Sequence, residues 1–145
     1  MTSRRSVLGH SIERVEDAAL LTGRGRFADD LPVRPDTLHA VFLRSPHAHA
    51  NIGTIDFQAA LSVPGVESVV TGEQAKKFTK PFIAGVKVPV EQYCIAVDRV
   101  RYVGEPVAIV IAQDRYVAED ACEKIQVEYQ PLPAVVDPLK SVDGS

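Results

Sequence analysis

The sequence has 145 residues, 46% hydrophobic and 24% charged, with a net charge of −3 and a pI near 5.8. This composition fits one globular domain and excludes a disordered chain or a basic protein drawn by its overall field to nucleic acid or anionic lipid. A domain of this size buries roughly 70% of the surface of its unfolded chain, so folding needs neither disulfides nor a structural metal.

At the N-terminus, "SRRSVLGH" imitates a twin-arginine export signal. The next segment, "SIERVEDAALL", carries Glu13, Arg14, Glu16 and Asp17 where such a signal needs an apolar stretch, so the export reading is rejected. No apolar run approaches the roughly 18 residues of a membrane span; the expected location is the cytoplasm. Residues 1–13 are predicted to be loosely ordered. "RVEDAALLTG" reads as a short helical turn that Gly23 stops in a left-handed conformation. "RFADDLPVRPD" is rich in turn formers.

"TLHAVFLRS" (37–45) has strand character, with Leu38, Ala40, Phe42 and Arg44 on one face and His39, Val41 and Leu43 on the other. A second strand is predicted over 48–56, ending at Asp56, which caps a short helix over 57–62. A third strand spans 66–70, and Thr71 caps "GEQAKKF". The segment 79–91 holds Pro81, Gly85 and Pro89 and reads as a loop of the kind that adapts to a partner. "VAIVIA" (107–112) is a continuous apolar run, expected to be buried on both faces. Asp114 caps a helix over 115–124, whose inner face is Val117, Ala118, Ala121, Cys122 and Ile125. A strand over 125–129 follows, and "QPLPAVVDPLKS" leaves the domain.

Two strand–Asp–helix–strand units, 48–70 and 107–129, suggest an internal duplication, although their side chains match too poorly to claim one. The expected architecture is α+β: a mixed β-sheet with short helices mainly on one face, over residues 14–137, followed by a linker over 138–145.

Chemistry is harder to find. Gly23-Arg24-Gly25-Arg26 resembles a phosphate grip, but a phosphate loop follows a strand and opens a helix, and here the helical turn comes first. The glycines read as backbone-geometry residues and the arginines as surface cations near Asp29 and Asp30. His47 and His49 form an H-x-H pair; in a strand, residues two apart share a face and could hold one zinc, but a site needs at least one more ligand, and the alternative is that Pro46-His47 sits in a turn and His49 packs at a strand edge. Cys94 and Cys122 form no C-x-x-C pair, and Cys122 reads as a small buried apolar residue. No G-x-S-x-G is present, and the acidic pairs Asp29-Asp30 and Glu119-Asp120 read as turn chemistry and solvated surface.

The stretches "RVEDAALLTGRGRFADDL", "LHAVFLRSPHAHANI", "VPGVESVVTGEQ", "VRYVGEPVAIVIA" and "AEDACEKIQVEYQPLPAVVD" occur in the order found at the N-terminus of molybdenum hydroxylase large subunits. The chain thus resembles the xanthine dehydrogenase/aldehyde oxidase family, nearest its aerobic carbon monoxide dehydrogenase branch. The resemblance implies an α/β hammerhead domain preceding larger domains that bind molybdopterin (molybdenum), with iron–sulfur clusters and FAD carried by partner subunits. It also implies that the catalytic glutamate lies beyond this chain. Glu105 in "GEP" does not inherit that role, and no residue here is assigned a catalytic, cofactor-binding or metal role.

The leading expectation is therefore a structural or assembly domain, expressed as a fragment or encoded by a truncated gene. A second is a subunit completing a split molybdenum hydroxylase in trans. A third, from another class, is a small metal-dependent hydrolase using His47 and His49. Self-association is expected through the face left bare without the larger domains, with Phe78, Phe82 and Ile83 as its motivating residues.

Overall fold

The computed structural model describes residues 8–84 and 90–142. The chain divides into two compact units at Pro35/Asp36.

The first unit holds helix α1 (Asp17–Leu21) and a 3-10 turn at Ala28–Asp30. Gly23, at φ +70°, ends α1 in the left-handed region, where a Cβ would be strained. Thr22 Oγ1 donates to the Ala18 carbonyl at 2.6 Å, and the Asp30 carboxylate accepts the Phe27 N–H at 2.9 Å. Asp30 thus performs the turn chemistry expected of the acidic pair.

The second unit contains β1 (His39–Arg44), β2 (Ala50–Asp56), α2 (Gln58–Leu61), β3 (Val66–Thr71) and α3 (Gly72–Ala75). After these come β4 (Phe82–Ala84), β5 (Val90–Gln92), β6 (Arg99–Val100), β7 (Pro106–Ala112), α4 (Arg115–Cys122), β8 (Gln126–Pro131) and α5 (Pro138–Val142). Two three-stranded sheets run in the orders β1-β7-β3 and β6-β2-β8, and β4 pairs with β5. The α+β class is as the sequence indicated.

Every pairing among the described residues is antiparallel, where one mixed sheet was expected. The reason is connection length. Residues 57–65 hold a single helical turn between β2 and β3, whereas a parallel crossover takes a dozen residues or more. The two strands therefore join different sheets, each beside an antiparallel neighbour.

β7 is the centre of the first sheet. Ala108, Val110 and Ala112 face a core shared with Val69 of β3, Ala60 of α2 and Ala118, Ala121 and Cys122 of α4. Val107 belongs to a second core with Ala50, Ala96 and Val100. One apolar run thus serves both cores, as its uninterrupted composition implied. In β1 the two predicted faces are distinct, and that of His39, Val41 and Leu43 is the less exposed. Asp114 accepts the Val117 N–H at 2.8 Å and caps α4. Asp114→Ala is expected to cost about 1 kcal/mol, read as a shift in the urea midpoint at unchanged slope.

The loop expected over 79–91 is partly a hairpin, with Phe82 opposite Gln92 and Ile83 opposite Glu91. Pro81 falls outside the paired residues and so removes no ladder hydrogen bond; Gly85 and Pro89 lie outside the described residues. In the expected C-terminal linker, the Asp137 carboxylate accepts the Leu139 N–H at 2.9 Å and opens α5.

Candidate functional site

A polar constellation is built where the turn before β7 meets the end of β1. The Ser45 N–H donates to the Glu105 carbonyl (2.9 Å), the Gly104 N–H to the Ser45 carbonyl (2.8 Å), and the Ala96 N–H to the Pro106 carbonyl (2.8 Å). Arg44 Nη1 donates to the Gly104 carbonyl at 2.9 Å. Gly104 sits at φ +90°, the conformation this turn requires. Glu105 is only 8% exposed, and its carboxylate accepts the Arg101 N–H. The carboxylate therefore fixes a backbone turn.

Ser45 Oγ accepts the His47 N–H at 3.0 Å and donates to the His47 carbonyl at 3.1 Å. The His47 ring lies 4.8 Å from the Tyr129 ring, tilted by 57°. His49 Nδ1 bonds the Pro133 carbonyl at 2.7 Å. The expected shared strand face is not formed: both histidines precede β2, which starts at Ala50, and each has a separate partner. Among the described residues, no group of three His, Cys, Asp or Glu side chains converges as a metal site. The hydrolase reading rested on that convergence and loses its geometric basis.

The glycine–arginine stretch is likewise occupied by its own chain. Arg24 Nε donates to Thr22 Oγ1 at 3.0 Å rather than to Asp29 or Asp30. A Cβ on Gly25 would lie 2.6 Å from Leu20 Cδ2, so Leu20 fills the space a ligand would need. Gly72 is filled in the same way, by the backbone of Ala96 and Val97. Neither close-packed glycine offers the open cradle a pterin would need.

A cleft of about 290 Å³ lies beside Glu105, walled by Glu73, Lys76, Tyr93, Asp98 and Arg101. Lys76 Nζ stands 5.9 Å from the Tyr93 ring centroid. The mixed signs suit a solvated polar surface more than a selective ion site. Sequence reading missed the Ser45–Glu105 link and the Tyr129 contact, which join residues far apart in the chain; "GEP" was the only local signal.

Cys122 is buried as expected, its thiol donating to the Val41 carbonyl at 3.7 Å, and Cys94 is exposed. Burial pushes the Cys122 thiol above its ordinary 9.0 and the Tyr129 phenol above its ordinary 10.0. Both groups hold their protons more tightly folded than unfolded. Their contribution is therefore fully present below pH 9 and is lost as pH rises through 9 and 10 and on through the raised folded values. Urea midpoints are expected to fall over that alkaline range, less steeply in Tyr129→Phe; an unchanged slope in the variant would refute the tyrosine share.

A hairpin-bearing α+β domain with two interleaved antiparallel sheets defines the class. Residues 22–133 match the family described as "Aldehyde oxidase and xanthine dehydrogenase, a/b hammerhead domain". The chain belongs to that family, the hammerhead domain of molybdenum hydroxylase large subunits. It is 43% identical over 148 residues to the nicotine 6-hydroxylase large subunit of Paenarthrobacter nicotinovorans, covering 97% of this chain and 18% of the relative. It is 39% identical over 136 residues to the carbon monoxide dehydrogenase large chain of Afipia carboxidovorans, covering 94% and 17% respectively. Aldehyde oxidases and xanthine dehydrogenases are more distant, at 35% identity or below. The crystal structure of quinoline 2-oxidoreductase from Pseudomonas putida 86 superposes with a TM-score of 0.81 at 43% identity, over 94% of this chain and 18% of that one. The chain spans less than a fifth of the length of these relatives.

Proposed function

We propose that this chain is a structural and assembly domain of a molybdopterin-dependent hydroxylase and contributes no catalytic, cofactor-binding or metal-binding group of its own. The observation that carries this reading is what its reactive side chains already do. Glu105 holds the Arg101 N–H, His49 the Pro133 carbonyl, Asp114 the Val117 N–H and Asp30 the Phe27 N–H. Each is committed to backbone geometry.

Its partners in this reading are the molybdenum-binding domains of the parent enzyme, with the iron–sulfur and flavin subunits that carry electrons away, all in the cytoplasm. No helix among the described residues is long and apolar enough to cross a membrane. Phe78, Phe82 and Ile83 are 88%, 58% and 64% exposed, which supports contact with another surface, including a second copy when the larger domains are missing.

The test is molybdenum and pterin analysis of the purified chain, with turnover assays on an aldehyde, a purine and carbon monoxide. The expected result is no molybdenum, no pterin and no turnover; activity of the chain alone overturns the proposal. Copurification of a large molybdenum-containing polypeptide would instead assign it as a subunit completed in trans. Light scattering over a wide concentration range tests self-association, and a sharp monomer throughout would remove that part.

A further inference from the structure

The sheet β1-β7-β3 has two outer strands, and their edges differ. β3 carries Glu67 within it, and its Thr71 N–H is held by Gln74 Oε1 at 2.8 Å. β1 is six residues long, contains no proline and has its only permanent charge at its last residue, Arg44. Edge strands are usually blunted by charge, proline, a bulge or a covering segment, because an unpaired row of N–H and C=O groups is a template for another strand.

Which groups β1 offers follows from its alternation. The Ser45 N–H donates to the Glu105 carbonyl, and the Ser45 carbonyl accepts the Gly104 N–H, so Ser45 turns both main-chain groups toward the β7 side. The register shift in this pair places the extra residue, Val107, on β7, so β1 keeps its period. His39, Val41 and Leu43 therefore bond β7, and Ala40 and Phe42 point their N–H and C=O outward. Both residues are exposed, and among the described residues nothing bonds those outward groups.

A cleft of about 390 Å³ lies against this edge, walled by His39, Ala40, Phe42 and Arg44 of β1 and by Arg115 and Glu119 of α4. Arg115 and Glu119 neutralise each other at 2.7 Å. Arg44 instead lies over the Phe42 ring, 5.5 Å from its centroid, and donates to the Gly104 carbonyl. It makes no ion pair among the described residues. The cleft thus holds an uncompensated positive charge beside an aromatic ring, in a chain whose net charge is −3.

We propose that the outer edge of β1 is a docking site for an extended acidic peptide segment of a partner protein, which adds to the sheet as an antiparallel strand. Main-chain bonds to Ala40 and Phe42 supply the pairing. A peptide side chain opposite Phe42 shares the face of its ring, and the one two residues earlier in the peptide stands opposite Arg44. The recognised pattern is a carboxylate, any residue, then an apolar residue. The site stands whether or not the domain has a catalytic role.

The test uses the full chain and an acetylated, amidated peptide reading threonine-glutamate-threonine-valine-threonine-valine. With the peptide at about 5 mM, amide exchange followed by NMR is expected to slow at least about threefold at Ala40 and Phe42 and to change little at Val41 and Leu43. A peptide with lysine in place of the glutamate sets like charges opposite each other and is expected to bind at least about tenfold more weakly in a titration of amide shifts. Ala40→Pro removes an outward donor and no bond to β7, so the fold is kept and the affinity falls at least about fivefold. Arg44→Gln, which leaves the strand backbone unaltered, should bring the glutamate and lysine peptides to within about twofold of each other. No slowing at Ala40 and Phe42, equal slowing along all of β1, or equal affinity of the unsubstituted chain for the two peptides overturns the proposal. So does protection of those two amides that grows with the concentration of the chain alone, which would assign the edge to a second copy.

Discussion

Replacing Gly72 with alanine is expected to destabilise the chain by about 3 kcal/mol or more, the cost of forcing extra volume into a site that cannot relax. An ideal Cβ at Gly72 would lie 2.7 Å from the Ala96 carbonyl carbon and 2.9 Å from Val97 Cα, with the Ala96 oxygen closer still. These are backbone atoms, so no rotamer change clears the way. The Ala96 N–H is already bonded to the Pro106 carbonyl at 2.8 Å, which ties this segment to the start of β7. Moving it aside to admit a methyl group would strain the strand that serves both cores.

In thermal unfolding this corresponds to a drop of roughly 10 °C for a domain of this length. Gly25→Ala is the control. Its Cβ would meet Leu20 Cδ2 at 2.6 Å, the movable tip of a side chain, and Gly25 does not lie in the left-handed region. A loss below about 1 kcal/mol is expected there. Equal losses in the two variants would show that the close approach at Gly72 is not what constrains the site.

The features visible in the sequence were those set by neighbours along the chain. Asp114 precedes a run with helical periodicity, so its capping role is local, and the structure bears it out. Gly23 follows a short apolar turn, and its left-handed conformation is equally local. The run 107–112 announced a buried strand by composition alone. The family resemblance rested on five stretches in order, a pattern that needs no knowledge of how they pair.

What stayed hidden was set by distant pairing. The strand read over 48–56 would hold His49, yet β2 begins where Ala50 finds Pro131 of β8, so neither His47 nor His49 lies in it. No local signal marks that point. Glu105 and Ser45 meet only because β1 and β7 pair with a register shift beside Arg44. The interleaving of the two halves was invisible for the same reason: a strand carries no mark of which sheet it joins. The candidate site was legible chiefly in the negative, as residue types whose spacing did not complete a catalytic or metal-binding pattern.

Ile95→Ala is expected to be the most damaging truncation of an apolar side chain in the molecule, costing about 3 kcal/mol. Ile95 is 2% exposed and ranks among the largest fully buried side chains, although it lies outside every strand and helix, between β5 and β6. Sequence reading placed its core elsewhere, since a single isoleucine between "QYC" and "AVDR" has neither period nor run. Its burial follows from what surrounds it in the chain: Ala96 is fixed to Pro106 and abuts Gly72, so the turn is clamped on two sides. Removing the side chain leaves a cavity that a clamped turn cannot collapse to fill, and the cost of such cavities grows with the volume left open. Ile83→Ala supplies the comparison: the same atoms are removed from an exposed hairpin position, and a change within about 0.5 kcal/mol is expected. Urea midpoints at constant slope measure both variants. Losses of similar size would mean that Ile95 does not anchor the segment between the hairpin and β6.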